Sequence, residues 1–540
     1  MYGLMQNEPV NLISILIHAA RWHGESVVVT NSVEGGIRRQ TYVDTLDRVT
    51  RLASSLELYG LRRGDRVGTL GWNTNRHLEA WYAISGAGAI CHTINPRLFP
   101  NQIEFIVNHA EDRLLFVDLT FVDLLIELLP KLPSVEGVIV MTDVAHMPDM
   151  SKSPVATYCY EDFLSAVGAS FDWPVLDDNA ASSLCYTSGT TGDPKGVLYS
   201  HRGNLIHAYA VCSADAFAYS CNDTILMVVP MFHANSWGIA YAAPMVGAKL
   251  VMPGPHMDGA SIQKLIEVEK VSTAAAVPTV WSTLIAHLNQ SGQRIDSLRE
   301  VVVGGAAVPR NMIEEFSKKY GVDVIHAWGM TEMSPVGTVN RRKPFMDDQS
   351  MEENLDVMCK QGRVPYGVDM KIVDADGKEL PHDGASFGRL MVRGPWTIAS
   401  YFKSSEAILE DGWFDTGDIA KIDKHGFMQI TDRSKDVIKS GGEWISSVEL
   451  ECAAMGIPGI DMAACIGATH PKWGERPVLL IKVSDAASPS KKDILEYLGE
   501  RFAKWQLPDA IINVDDIPLT AAGKIDKKPL RAAYQDCLLD

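Results

Sequence analysis

Apolar and polar positions along this chain follow two periods that take turns. Arg66–Gly71, Arg113–Asp118 and Val138–Thr142 are short apolar runs of the kind that form buried strands. Between them, His77–Ala87, Gln102–His109 and Phe121–Leu132 carry the 3.6-residue period of helices. That rhythm predicts a parallel sheet with helices on both faces. It returns with strands at Thr224–Pro230 and Lys249–Met252 and helices at Ser236–Val246 and Ser261–Val271, which predicts a second doubly wound layer. Val301–Val303 adds another strand, and Leu12–Ile17 reads as part of a short amphipathic helix. After about Asp374 the texture changes to short strands with Gly-rich turns such as Asp374-Ala375-Asp376-Gly377, so a small β subdomain is expected. The last boundary falls at Asp432–Asp436, and beyond it lies a compact α+β pattern whose main helix is Lys491–Trp505. The fold class is therefore α/β, with two doubly wound sheets, a β subdomain and a small α+β unit at the end.

A chain of 540 residues exceeds what one core serves, so at least two domains are expected. The balance of 49 basic against 67 acidic residues gives a net charge of −18. Neither a nucleic acid nor an anionic membrane surface is a natural partner for such a chain. No segment approaches the roughly 20 apolar residues of a membrane span, and the start lacks a basic leader, so a cytoplasmic protein is expected. Nine cysteines without C-x-x-C spacing point to neither zinc nor a disulfide framework; they are expected reduced and mostly buried.

The chemistry concentrates in Tyr186-Thr187-Ser188-Gly189-Thr190-Thr191-Gly192-Asp193-Pro194-Lys195-Gly196-Val197. Glycines let backbone N–H groups approach an anion, hydroxyls add donors, and Lys195 adds charge. A Walker A loop requires Gly-Lys before Ser or Thr, and the order Lys195-Gly196-Val197 excludes it. Further motifs follow in order: Trp328-Gly329-Met330-Thr331-Glu332, Gly412–Asp418, Asp432–Asp436, Lys439–Ile445 and Gly523–Lys527. Together these segments resemble the adenylate-forming superfamily of acyl-CoA synthetases, luciferases and peptide-synthetase adenylation domains.

The resemblance implies a site and a cycle. ATP would be held by Thr187, Ser188, Gly189, Thr190, Thr191, Gly192 and Lys195 at the β- and γ-phosphates and by Thr331 at the α-phosphate, with Mg²⁺ on Glu332. Asp418 and Arg433 would take the ribose. Gly305, Ala306, Ala307, Ala327, Trp328, Gly329 and Met330 would surround adenine, although Gly304–Ala307 is equally an ordinary strand-to-helix turn. Lys524 would offset repulsion between the acid and the α-phosphate during adenylation; Lys527 and Lys528 read as solvated. The resemblance further implies an N-terminal domain over 1–432, a hinge over 433–436 pivoting at Lys435, and a mobile C-terminal domain over 437–540. Rotation would bring Lys439, Gly441, Gly442, Glu443 and Trp444 to the reaction centre for coenzyme A.

The acyl pocket is assigned to Gly304, Gly305 and Pro230–Gly238, with His233 as a gate and Trp237 as a floor. The competing reading makes Asn235 or Ser236 a helix cap, with His233 and Trp237 merely packed. Trp328–Glu332 and Met231–Trp237 resemble medium-chain fatty acid and 3-(methylthio)propionate CoA ligases, which implies a short or medium acid, ATP and CoA as substrates, and a homodimer. Two other functions stay open: an adenylating enzyme that loads a carrier protein, disfavoured in its modular form because no carrier domain follows Asp540, and a non-catalytic nucleotide-binding regulator.

Overall fold

The computed structural model describes all residues except 1–2, 7, 188–192, 434–435, 441–442, 484–488, 521–524 and 540, and the side chains of Asn235, Glu443 and Trp444. Two large sheets dominate. One has seven strands in the order Ala156–Cys159, Gly137–Val140, Asp112–Val117, Arg66–Leu70, Ile90–Thr93, Ala181–Tyr186 and Gly196–Ser200, parallel except for the last pair. The other has eight: Val336–Val339, Asp323–Gly329, Glu300–Val303, Thr273–Ala276, Thr224–Met227, Lys249–Met252, Val27–Asn31 and Ile37–Thr41. Its two edge strands run antiparallel and the interior is parallel. Interior strands such as Val301–Val303 are apolar throughout because helices cover both faces.

The helix Asn75–Gly86 touches strands of both sheets, and all twelve of its residues are buried. Polar residues there require partners. Arg76 pairs with Glu34 and Glu161, and Glu79 meets Arg48 and the Tyr160 hydroxyl. A Thr41 capping box starts Tyr42–Tyr59, and Gly60 ends it at φ 91°.

The β subdomain is an antiparallel sheet of Asp369–Val373, Phe387–Arg393, Trp413–Ile422, Leu409–Glu410 and Met428–Arg433. From Ile438 onward a separate sheet forms from Glu443–Ile445, Ile438–Ser440, Gly474–Val483, Ile460–His470 and Ala510–Asn513. Its apolar residues form their own clusters, centred on Leu450, Cys465 and Leu479 on one face and on Ile466, Leu480 and Leu530 on the other.

Four expectations change. The helix expected over Lys491–Trp505 ends at Gly499, after which the amides of Arg501 and Phe502 turn back onto the Leu498 carbonyl and a short 3₁₀ turn follows at Lys504–Gln506. The helix expected from Ser236 begins as a 3₁₀ turn over Ala234–Gly238 and becomes regular only at Ile239–Val246, because Ser236, Trp237 and Gly238 all have positive φ. Lys527 is not solvated: its side chain is 9% exposed and paired with Glu451. All nine cysteines are free, but Cys221 and Cys537 are exposed and only Cys91, Cys185 and Cys465 are fully buried.

Candidate active site

Four of the motif segments leave the carboxyl ends of strands, where ligands of open α/β sheets sit. Thr187–Lys195 follows Ala181–Tyr186, Pro230–Trp237 follows Thr224–Met227, Gly304–Ala307 follows Glu300–Val303, and Thr331–Met333 follows Asp323–Gly329.

After the strand Ala181–Tyr186, the Thr187 N–H donates to the Lys195 carbonyl at 2.9 Å, which extends the pairing of that strand with Gly196–Ser200. Ser188, Gly189, Thr190, Thr191 and Gly192 themselves lie outside the described residues. Lys195 Nζ lies 4.8 Å above the Tyr401 ring and 3.2 Å from the Glu406 carboxylate. The Tyr401 hydroxyl donates to Glu332 Oε1 at 2.8 Å. One tyrosine thus joins the lysine to the acid, and burial with the adjacent Glu332 carboxylate pushes its phenol well above the ordinary range. Glu332 is only 8% exposed, so it is not a solvated surface acid. Its turn is fixed from below by the Tyr199 hydroxyl, which donates to the Thr331 carbonyl at 2.7 Å, and by the Ile398 amide, which donates to the Glu332 carbonyl at 2.8 Å. A cleft of about 450 Å³ opens beside Lys195, Tyr401, His109 and Lys403. No sequence signal marked Tyr401 or Lys403, because each stands in an irregular loop without motif spacing.

In the β subdomain, Asp418 and Arg433 face each other across neighbouring strands, with Arg433 Nε 2.8 Å from Asp418 Oδ1. The Trp328 indole N–H donates to Asp418 Oδ2 at 3.2 Å. Trp328 is buried among Cys185, Val197 and Phe414, and a side chain at Gly337 would collide with its ring. Ala327 is buried, Gly329 and Met330 are half-buried, Gly305 turns at φ 82°, Ala306 is exposed and Ala307 is half-buried.

After the strand Thr224–Met227, Asn73 holds the chain by donating to the Met227 and Val229 carbonyls and accepting from the Met231 amide. The Ser236 hydroxyl donates to the Val229 carbonyl at 2.8 Å instead of capping the following helix. Trp237 sits at φ 53°, a conformation rare for a bulky residue and a sign of local constraint. Its indole lies on Gly304, where an added Cβ would come within 2.9 Å of Trp237 Cη2 and 2.8 Å of the Ala327 carbonyl. Trp237, Gly304 and Ala327 are thereby brought to one place. His233 is half-buried in the turn. A second histidine, His207, lies behind: it is fully buried, accepts the Val336 N–H at 3.1 Å, and burial lowers its pKa to about 3, so it is neutral. Sequence reasoning missed it because nothing in the helix His201–Cys212 distinguishes it from packing.

In the last region, Lys439 is exposed on the strand Ile438–Ser440, and Glu443–Ile445 pairs with that strand. Lys435, Gly441, Gly442 and Lys524 lie outside the described residues, as do the side chains of Glu443 and Trp444.

The AMP-binding enzyme family matches residues 16–402, and the AMP-binding enzyme C-terminal domain matches residues 449–524. The chain is 47% identical over 545 residues to a 3-methylmercaptopropionyl-CoA ligase of Ruegeria lacuscaerulensis, covering 100% of each chain. It is 48% identical over 540 residues to a medium-chain-fatty-acid–CoA ligase of Ectopseudomonas oleovorans, covering 100% of this chain and 98% of the relative. Among solved structures, the anthranilate CoA ligase AuaEII in complex with anthranoyl-AMP superimposes with a TM-score of 0.86 at 24% identity, over 98% of this chain and 99% of that one. From end to end, in sequence and in fold, the chain belongs to the AMP-binding enzyme family.

Proposed function

We propose that this chain ligates a short- or medium-chain carboxylic acid to CoA, with 3-(methylthio)propionate among its acids. It is an AMP-forming acyl-CoA synthetase that uses ATP and CoA. The observation that carries the reading is likeness at 47–48% identity, over the full length, to ligases of that kind.

In the first half-reaction an acid oxygen attacks the α-phosphorus, the bond to the bridging oxygen breaks, and diphosphate leaves. In the second, the CoA sulfur attacks the acyl carbonyl and AMP leaves. Lys195 and the 188–192 loop hold the outer phosphates, Thr331 orients the α-phosphate, and Asp418 with Arg433 binds the ribose. For that, Arg433 swings from its bond to Asp418 to share the diol. Trp328, through its N–H on Asp418, keeps that carboxylate aimed while Ala306 and Ala307 flank the base.

Glu332 is a single carboxylate with one oxygen engaged by Tyr401, a donor set that suits Mg²⁺ shared with substrate phosphates and water. When bound, that ion neutralises charge developing on diphosphate. Lys524 serves adenylation, and Lys439, Gly441, Gly442, Glu443 and Trp444 line the CoA approach after rotation of 437–540 about Lys435. His233 and Trp237 bound the acyl chain. A thioether is nearly isosteric with a methylene, so an apolar pocket that takes a medium-chain acid would also take 3-(methylthio)propionate. We further place the protein in the cytoplasm as a homodimer, which cell fractionation and sedimentation test.

The test is diphosphate release measured with and without CoA across acids from acetate to decanoate, with 3-(methylthio)propionate included. Acid-dependent release followed by CoA-dependent thioester is expected. Release without any thioester favours carrier loading, and no release with tight ATP binding favours a regulator.

A further inference from the structure

A second charged cluster lies at the junction between the β subdomain and the final region. The strand Met428–Arg433 ends beside the helix Ser447–Met455. Asp432, 1% exposed, accepts from the Ser447 amide at 2.7 Å and from the Ser447 hydroxyl at 3.0 Å. Behind Ser447, Lys527 Nζ donates to the same hydroxyl and pairs with Glu451 at 2.7 Å. Glu451 also accepts the Cys465 amide at 2.7 Å. Outside this buried core, Lys421 and Gln429 both reach Glu449 at 3.3 Å. Two carboxylates against one ammonium leave a negative excess, which the N-terminal end of the helix at Ser447 offsets.

A buried ion pair gains little over apolar packing once desolvation is counted, so stability alone is a weak reason for this one. Its distribution along the chain suggests another. Asp432 precedes the hinge proposed at 433–436, whereas Ser447, Glu451 and Lys527 follow it. The Asp432–Ser447 contact therefore crosses the hinge, and rotation parts it.

We infer that Asp432, Ser447, Glu451 and Lys527 form a latch that holds the small domain in one of its two working orientations. The inference rests on the two-orientation reading given above. Rotation exchanges the Asp432 contacts for water, which polar groups tolerate and an apolar interface does not.

The test compares Asp432→Asn, Lys527→Met and Lys527→Arg with the wild type by two readouts. Hydrogen exchange is followed at Ser447–Met455 and at the strand Ile460–His470, and the two half-reactions are timed separately. Asp432→Asn and Lys527→Met are expected to speed exchange at Ser447–Met455 about ten-fold while Ile460–His470 keeps its protection. They should also shift the ratio of the half-reaction rates about ten-fold, and Lys527→Arg should restore both. Unchanged exchange at Ser447–Met455 overturns the latch, as does an equal rise at Ile460–His470, which marks a packing role. A parallel fall of both half-reactions overturns it too. A wild type that makes neither adenylate nor thioester defeats the ligase reading alone, since exchange still decides the latch.

Discussion

Up to Val339 the chain buries parallel strands on both faces; its buried histidines are kept neutral, and its interior charges are tied into fixed pairs such as Arg76 with Glu34 and Glu161. Burial lowers the pKa of His77, His201 and His326 to about 4 and that of His207 to about 3. From Ile438 onward one mixed sheet carries two modest clusters, and the interior groups there are ionic: burial opposes the charge on Lys527, yet the Glu451 and Asp432 carboxylates more than offset it and hold its pKa above the ordinary value. Close packing on both faces of each sheet resists sliding and gives a fixed cradle. A small rigid body joined through exchangeable polar contacts gives a lever. On the proposed cycle, the difference would divide a reaction with two half-steps between the two regions: binding geometry in the cradle, changing neighbours in the final region.

The largest effect that can break this division is expected from Lys524→Ala. Loss of one preorganised charge should slow adenylation by about 10²–10³, or about 3–4 kcal/mol. Transfer of a supplied acyl-adenylate to CoA should stay near wild type, and single-turnover assays of each step read the difference. Equal loss in both steps would return Lys524 to the fixed cradle. Next comes Lys435→Pro, which fixes φ near −65° at the proposed pivot. Adenylate should still form, and thioester formation should drop about 10²-fold, as expected when one conformer is trapped. An overall thioester rate close to wild type would leave the small region with no lever.

The cradle was the legible part. Periodicity located Lys249–Met252 to the residue and the other strands it named within a few, because a buried parallel strand must be continuously apolar, but it passed over Ile90–Thr93, Thr273–Ala276 and Asp323–Gly329. Motif order singled out Thr187, Glu332, Asp418 and Arg433, and the fold brings Trp328, Asp418 and Arg433 into direct contact. Long-range polar contacts were not legible. Tyr401 meets Glu332 from 69 residues away, His207 meets Val336 from 129, and Lys527 meets Ser447 from 80. No local spacing encodes such pairs. Lys527 looked solvated because a Lys-Lys pair near a chain end usually is, and only the sheet packing shows that one of the two points inward.

A smaller effect separates the two regions by pH. An unfolded histidine takes up its proton near pH 6.5, whereas the four buried ones do so only near 3–4. The unfolded chain therefore binds more protons in that window, so this stability is complete above pH 6.5 and is lost as pH falls toward 4, at up to about 1.4 kcal/mol per pH unit for each histidine. Asp118, held up to about 7 by burial despite accepting the Trp72 amide, runs the other way and offsets one of them. The final region has a single histidine, His470, which is half-buried. Hydrogen exchange at pH 7 and pH 5 should show protection falling in Asn75–Gly86 and His201–Cys212 more than in Ile460–His470. The reverse order would mean that the cradle does not depend on neutral histidines.

The smallest effect tests whether specificity resides wholly in the cradle. Trp237 lies 7% exposed, at positive φ, with its indole against Gly304 at the carboxyl end of Glu300–Val303. Those features fit a floor that closes the acyl pocket, and they also fit a core residue. Trp237→Ala separates the two. If the indole is a floor, removing it lengthens the pocket, and each added methylene gains about 0.8 kcal/mol, or about four-fold in kcat/KM. Preference should move toward longer acids, and short acids should lose kcat/KM because the wall they touched is gone. The ratio of the two half-reactions should stay fixed, since nothing at the junction has changed. If Trp237 is core, the cost should appear as about 3–5 kcal/mol of stability with an unchanged chain-length profile. A chain-length series of kcat/KM measured alongside the melting temperature decides: a flat profile with a large fall in Tm sinks the floor assignment, while a shifted profile with a fixed half-reaction ratio shows that selection of the acid and movement of the small region are separable.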